Sequence, residues 1–119
     1  MDRNVNFTLE TSVLGHTVSA FVLIPDEGIH VSVYGGEKSH IGAVCIIAPD
    51  GTRQAQQFPG HRDLVIAEKW AGALYEAGYC PVTAEAGIHY DNLSKADILT
   101  IIAASDALLE EVLSHLSEA

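Results

Sequence analysis

The segment LVIAEKWAGALYEAGYCPVTAEA, residues 64–86, contains the change of pattern that decides the fold. Gly78 divides it at a point where a helix C-terminus favours the left-handed conformation. The stretch after this glycine, CPVTAEA at residues 80–86, predicts a short strand. The stretch before it repeats apolar residues at the spacing of a helix, at Leu64, Ala67, Ala71 and Leu74.

Five strands are predicted ahead of this helix, because the chain there alternates apolar and polar residues or is continuously apolar. The run IGAVCIIA at residues 41–48 predicts a strand covered on both faces, near the centre of a sheet. The polar, glutamine-rich stretch that follows it predicts a partner strand at the sheet edge. The five predicted strands span residues 7–13, 17–24, 29–34, 41–48 and 52–58.

A second helix is predicted from Ser94 to near the C-terminus, because SKAD at residues 94–97 resembles a capping box. We expect Trp70 and Tyr75 of the first helix to belong to the core or to a dimer contact. The order of elements predicts an α+β fold, a single-domain sandwich of a mostly antiparallel sheet with two α-helices packed on one face. At 119 residues, one domain spanning residues 1–119 is expected. The second helix has one apolar face, formed by Ile98, Ile101, Ile102, Leu109, Val112, Leu113 and Leu116.

Composition excludes several classes of partner. A formal net charge of −10 repels nucleic-acid phosphates and anionic membrane surfaces, so no nucleic acid and no membrane is expected to bind. The first ten residues lack the basic and apolar regions of a secretory leader, and Cys45 and Cys80 form no CxxC pair. We therefore expect a cytoplasmic protein with reduced cysteines.

Three segments rich in glycine and histidine are candidates for carrying chemistry: GGEKSHIG at residues 35–42, PGHRD at residues 59–63 and AGIHYDN at residues 86–92. The glycines of the first segment let the backbone approach a ligand, while Lys38 and Ser39 supply donors. The second segment opens the first helix, whose N-terminus favours an anion beside Arg62. Each segment taken singly is equally well explained by turn geometry, or by Asp63 and Asn92 acting as helix caps.

Carboxylates accompany the histidines of the third segment. Asp91 is placed to orient His89, and Glu85 lies upstream on an apolar strand, where a buried carboxylate would need a partner. A three-histidine metal site formed by His40, His61 and His89 is an alternative. The sequence contains no HxH or HExxH spacing in support of it, so no metal ligand is assigned.

Taken together and in this order, GGEKSHIGAV, PGHRD and AGIHYDN resemble the motifs of the LpdD-like prenylated-flavin chaperone family. The resemblance covers the chain from Tyr34 to Leu116. It implies a non-catalytic accessory protein that binds prenylated FMN, with FMN itself as the alternative cofactor. It also implies a partner, a UbiD-type decarboxylase of hydroxyaryl acids such as gallate or protocatechuate, whose maturation or reactivation the protein assists.

On the matched positions, Lys38, Ser39 and Arg62 are expected to contact the phosphate, and the histidines and Asp91 to lie near the flavin ring. No catalytic residue is assigned. A flavin prenyltransferase is a further expected partner, and a homodimer is expected because it would bury an exposed sheet edge. The predicted cofactor-binding residues are Gly36, Lys38, Ser39, His40, His61, Arg62, Glu85, His89, Asp91 and Asn92.

Two other functions remain open from the residues alone. One is a small enzyme acting on a pterin-like planar heterocycle, with Glu85 as an anchor and His89 or His61 as the acid or base. The other is a purely structural subunit of a decarboxylase complex.

Overall fold

The computed structural model describes residues 5–118, which form six strands and two helices. The strands are β1 (Val5–Val13), β2 (His16–Ile24), β3 (Ile29–Gly36), β4 (Lys38–Ile47), β5 (Arg53–Gln57) and β6 (Val82–His89). The helices are α1 (Leu64–Glu76) and α2 (Lys95–Ser117). Residues 1–4, which begin the segment compared with a secretory leader, and residue 119 lie outside the described part of the chain.

The strands form one sheet in the order β1-β2-β3-β6-β4-β5. Strand β6 is parallel to β3, and the other neighbouring pairs are antiparallel. The last strand of the chain thus lies in the middle of the sheet, between two strands that follow one another in sequence. The predicted mostly antiparallel α+β fold is confirmed.

Both helices cover one face of this sheet. Residues that alternate along the central strands are buried on that face, among them Val31 and Val33 of β3 and Ala84 and Ala86 of β6. The residues between them point to the other face, which Glu85 shares. The predicted packing of two helices on one face is confirmed.

The prediction that residues 41–48 form a strand covered on both faces near the sheet centre is wrong. Strand β4 is second from the edge, because β6 occupies the central position. Ala43, Cys45 and Ile47 are fully buried under the helices, whereas Ile46 is 36% exposed on the open face. The continuous apolar run therefore reflects one buried face and one face that is apolar but open.

The first Gly/His segment is also not the loop that its glycines predict. Strand β3 continues through Gly36 and β4 starts at Lys38, so only Glu37 separates the two strands. The Glu37 N–H donates a 2.8 Å hydrogen bond to the carbonyl of His89 at the end of β6. The segment therefore wraps the end of β6 and does not form a hairpin.

Helix α2 begins where the sequence predicts. The Ser94 hydroxyl accepts a 3.1 Å hydrogen bond from the Asp97 N–H, and the Asp97 carboxylate accepts one of 3.2 Å from the Ser94 N–H. This reciprocal pair is a capping box with aspartate as the acid. Neither of the helices described in residues 5–118 is long and apolar enough to cross a membrane.

Trp70 joins the two helices inside the core. Its side chain is fully buried, and its indole N–H donates a 3.0 Å hydrogen bond to the hydroxyl of Ser105 on α2. The expected core position of Trp70 is confirmed, and Tyr75 packs against the same core while remaining partly exposed. Because a buried indole N–H needs an acceptor, Ser105 is required for its hydroxyl and not only for its size.

We expect Ser105→Ala to lower the free energy of unfolding by about 1–2 kcal/mol, because the buried Trp70 N–H loses its acceptor. Urea denaturation followed by tryptophan fluorescence measures this difference. Ser114→Ala is the matched control, since Ser114 is an exposed serine of the same helix. Equal stability of both variants would contradict this role of Ser105.

Candidate functional site

The ends of three secondary-structure elements meet at one end of the sheet. Strand β6 ends at His89, and β4 begins directly beside it, with Lys38 opposite His89 in the antiparallel register. Helix α1 begins nearby, because the Asp63 carboxylate that precedes it accepts a 3.1 Å hydrogen bond from the Ile88 N–H. All three Gly/His segments are thus brought to the same place.

A bulge in β4 lets these segments approach closely. The register between β4 and β6 shifts between Ser39 and Ala43, so residues 40–42 lie opposite Gly87. A Cβ atom at Gly87 would collide with the His40 carbonyl group, and one at Gly42 would collide with the Asp63 carboxylate. Glycine is therefore needed at both positions, because a side chain would occupy the space of the bulge or of the carboxylate.

Asp63 is the buried carboxylate of this region, with 5% of its surface exposed. One carboxylate oxygen accepts from the Ile88 N–H at 3.1 Å, and the other lies 2.9 Å from the His40 Nε2. Asp63 occupies the N-cap position of α1, but within residues 5–118 its side chain makes no capping hydrogen bond to the helix. Its carboxylate connects β4, β6 and α1.

Two further histidines complete a cluster around His40. The ring of His61 stacks on that of His40 at a centroid distance of 4.2 Å, and the His89 ring lies edge-on at 6.1 Å. His89 is in turn paired with Asp91, with 3.0 Å between Nε2 and Oδ1. The prediction that Asp91 is placed to orient His89 matches this contact.

The cluster forms one end of a cavity of about 490 Å³ between the first turns of α1 and α2. Volumes of roughly 300–1,000 Å³ are typical of small-molecule sites. The polar end of the cavity consists of His40, His61, Arg62, Asp63 and His89. The apolar wall consists of Val65, Ile66, Ile88, Leu93, Ile98, Ile101 and Ile102, and Gly60 and Tyr90 complete the lining.

The sequence does not predict the apolar wall: Ile98, Ile101 and Ile102 belong to the predicted apolar face of the second helix, and the other residues of the wall show no distinguishing pattern. Ile98 and Ile102 continue the apolar face of α2, yet they are 39% and 37% exposed at the cavity mouth. The later turns of α2 pack against β1 and are buried, as Val112 shows. One helical period therefore serves two environments, and no signal in the sequence separates them.

The structure brings four of the ten predicted site residues into the cavity: His40, His61, Arg62 and His89. Lys38 is exposed at the start of β4, and Ser39 lines a shallower hollow of about 230 Å³ with Ser32 and Tyr34. Glu85 lies on the open face of the sheet. Gly36, Asp91 and Asn92 lie around the end of β6 and outside the lining described for residues 5–118.

Comparison with known proteins gives two matches in sequence. A family model described as the prenylated flavin chaperone LpdD-like domain matches residues 12–117. Protein LpdD from Lactiplantibacillus plantarum is 29% identical over 116 residues, a match that covers 92% of this chain and 84% of that protein. The family match extends over nearly all elements of the fold.

A solved structure is similar in fold. A chain in the crystal structure of a novel chaperone complex for yeast 20S proteasome assembly aligns with a TM-score of 0.59, covering 98% of this chain and 95% of that chain. Only 16% of the aligned residues are identical, so this likeness concerns the arrangement of strands and helices alone.

Tyr90 anchors the segment that carries His89 and Asp91. It is 7% exposed, and its hydroxyl donates a 2.6 Å hydrogen bond to the carbonyl of Val13 at the end of β1. Burial, and to a lesser extent the negative charge of Glu37, raises the pKa of the Tyr90 hydroxyl above its ordinary value. The folded protein therefore favours the protonated phenol, which is the form that can donate to Val13.

We expect Tyr90→Phe to lower the free energy of unfolding by about 1–2 kcal/mol at pH 8, because the buried Val13 carbonyl loses its donor. The raised pKa of Tyr90 stabilises the folded state fully below about pH 10, and this stabilisation is lost as pH rises through the folded-state pKa. The difference between wild type and Tyr90→Phe should therefore shrink above about pH 10. Urea titrations at several pH values measure it.

Tyr34→Phe is the control for this measurement, since Tyr34 is half-buried on the open face of the sheet. A pH-independent difference between wild type and Tyr90→Phe would show that burial of the Tyr90 hydroxyl does not matter.

Proposed function

The chain belongs to the prenylated flavin chaperone LpdD-like family, and from this premise we propose that it carries prenylated FMN in the cavity between α1 and α2. The protein then supplies the cofactor to a UbiD-type decarboxylase, whose maturation or reactivation it assists without catalysing a reaction itself. The observation that carries this proposal is the amphiphilic cavity, which is lined by aliphatic side chains together with three imidazoles and one guanidinium.

The aliphatic wall suits the apolar part of such a cofactor. Prenylation adds hydrocarbon to a flat tricyclic ring. Burial of the ring and of the added hydrocarbon against branched aliphatic side chains is favourable, because it removes apolar surface from water. Ile98 and Ile102 reach the same cavity from successive turns of α2, and Ile66 faces them from α1. A ring system lying between the two helices would bury apolar surface on both sides.

The polar end suits the phosphate. Arg62 lines the cavity directly before the first turn of α1, where the positive end of the helix dipole favours an anion. Guanidinium groups bind phosphate through paired, charge-assisted hydrogen bonds. We therefore assign the phosphate to Arg62, and Lys38 and Ser39 are left with roles outside this cavity.

The open mouth of the cavity favours a carrier over an enzyme. Val65 is 62% exposed beside it, and Ile98 and Ile102 are also solvent-accessible. Enzymes that act on reactive cofactors exclude water from the reacting atoms, whereas a carrier must let its ligand leave. An accessible site is therefore better suited to transfer than to catalysis.

The geometry does not favour the alternative of a heterocycle-modifying enzyme. Glu85 precedes His89 by four residues on β6, a separation of roughly 13 Å along an extended strand. Glu85 is also not among the residues that line the cavity with His61 and His89. We therefore favour a carrier over an enzyme that uses Glu85 as its anchor.

The remaining parts of the proposal concern assembly. We propose that the decarboxylase acts on a hydroxyaryl acid such as gallate or protocatechuate, that a flavin prenyltransferase supplies the cofactor, and that these steps take place in the cytoplasm. We also propose a homodimer formed through an edge strand of the sheet, β1 or β5, which light scattering of the purified protein tests.

Co-expression with a flavin prenyltransferase should yield coloured protein that retains prenylated FMN through an anaerobic desalting column. The absorption spectrum and the mass of the released ligand identify the cofactor. Adding the loaded protein to a purified cofactor-free UbiD-type decarboxylase should then restore decarboxylation. Colourless protein from this preparation would refute flavin binding.

Two substitutions on α2 locate the binding site. Ile102→Gln should weaken flavin binding about tenfold, since it removes apolar contact worth about 1.4 kcal/mol at the cavity wall. Leu99→Gln is the matched control, because Leu99 is 67% exposed on the same helix and lies outside the described lining. Equal loss of affinity in both variants would place the flavin elsewhere.

We expect Arg62→Gln to weaken FMN binding by about 10- to 100-fold, because charge-assisted hydrogen bonds to the phosphate are lost. Riboflavin, which has no phosphate, should bind wild type and Arg62→Gln with similar affinity. Fluorescence quenching titrations with both flavins measure the two effects. Arg53→Gln on β5 is the control for a general loss of positive charge.

A further inference from the structure

Two imidazoles and one carboxylate converge at the polar end of the cavity. One ring nitrogen of His40, one of His61 and one carboxylate oxygen of Asp63 lie within 4.8 Å of one another. We propose that these three residues bind a divalent first-row transition-metal ion, with zinc as the reference case, and leave at least one coordination position open toward the cavity. The site does not depend on flavin binding.

The donor set selects the class of ion. Imidazole nitrogen and carboxylate oxygen together are ligands of Zn²⁺, Fe²⁺, Mn²⁺ and Co²⁺, and a two-histidine, one-carboxylate set leaves positions for water or another ligand. Mg²⁺ and Ca²⁺ prefer oxygen ligands throughout. The site should therefore discriminate strongly against these two ions.

The carboxylate is held in place before any ion binds. Asp63 is almost fully buried, and its Oδ1 accepts from the Ile88 N–H while Oδ2 lies 2.9 Å from the His40 Nε2. Metal-ligating carboxylates are commonly held in orientation by hydrogen bonds of this kind. The bulge glycine Gly42 leaves the space in which His40 and Asp63 meet.

The distances require little movement. Ligand atoms around a four-coordinate zinc ion, each about 2.0–2.1 Å from the metal, are separated by about 3.3 Å. His40 and Asp63 are already slightly closer than this. His61 stacks on His40 at 4.2 Å from a half-buried position in the loop before α1, where a side-chain rotation can bring its nitrogen inward.

The cluster has a simpler interpretation as a buried ion pair, in which His40 satisfies Asp63 and His61 is incidental. The two interpretations differ at His61, which the ion pair does not need and the metal site does. They also differ in charge. An ion held by two neutral imidazoles and one carboxylate would have a net charge of +1, and would attract water or an anionic ligand group into the cavity.

Calorimetric titration of chelator-treated, flavin-free protein with zinc chloride tests the proposal. Wild type should bind about one zinc ion per chain, and His61→Ala and Asp63→Asn should each weaken binding by at least about tenfold. His115→Ala is the control, since His115 lies on the exposed side of the far end of α2. Magnesium chloride should give no binding in the same range.

Cobalt provides an independent signature. Co²⁺ added to wild type should produce visible absorption bands of a nitrogen- and oxygen-ligated site, and these bands should be absent from His61→Ala. Circular dichroism shows whether each variant is folded. If Asp63→Asn does not fold, His61→Ala alone tests the proposal. Zinc binding that survives in folded His61→Ala, or the absence of zinc binding by wild type, would overturn the proposal. Because no flavin is present, neither outcome bears on the proposed carrier function.

Discussion

Strand β6 forms hydrogen bonds with β3 on one side and β4 on the other, and the position of the candidate site depends on this insertion. Without it, β3 and β4 would be joined by Glu37 as a simple hairpin. With it, the turn at Glu37 wraps the end of β6 and the His89 carbonyl accepts from the Glu37 N–H. The first and third Gly/His segments are thereby held together by main-chain hydrogen bonds, which side-chain substitutions leave largely intact.

Asp63 fastens the second segment to the other two. A buried carboxylate is costly unless each of its oxygens has a partner, and here the partners come from Ile88 of β6 and His40 of β4. The start of α1 is therefore fixed relative to the sheet by polar contacts at one end. Further along the two helices, the Trp70 indole of α1 donates a hydrogen bond to Ser105 of α2 and so holds the helices together. The cavity is lined by the first turns of the two helices that these contacts hold in place.

Much of this fold could be predicted from the sequence, because local patterns carry it. The period of α1, the capping box at Ser94 and the alternating strands are local signals, and they are confirmed. The central place of β6 is not local: strand pairing between residues far apart in sequence leaves no periodic trace. For that reason the sequence predicts residues 41–48 near the sheet centre, a position that β6 occupies instead.

The site was less predictable than the fold, for a physical reason. An aspartate that precedes a helix is predicted to cap it. The prediction is the same whether the side chain accepts a hydrogen bond from the helix or, like that of Asp63, from a strand. An isoleucine at helical spacing is predicted to lie in the core, whether it is buried there or, like Ile102, borders a cavity. The histidines of the site are predictable because they lie in the three Gly/His segments at the ends of predicted elements.

The division of α2 into two environments bears on how the proposed carrier could release its ligand. The turns after Ser105 are packed against β1 and share the core, whereas the turns before it face the cavity and solvent. The apolar side chains at the mouth leave part of their surface in contact with water, at Ile98 and Ile102 more than a third. Their burial would come instead from a bound ring or a docked protein surface. A cavity of this kind binds through contacts that the unliganded fold does not need, so a ligand can enter or leave it while the core beneath stays intact.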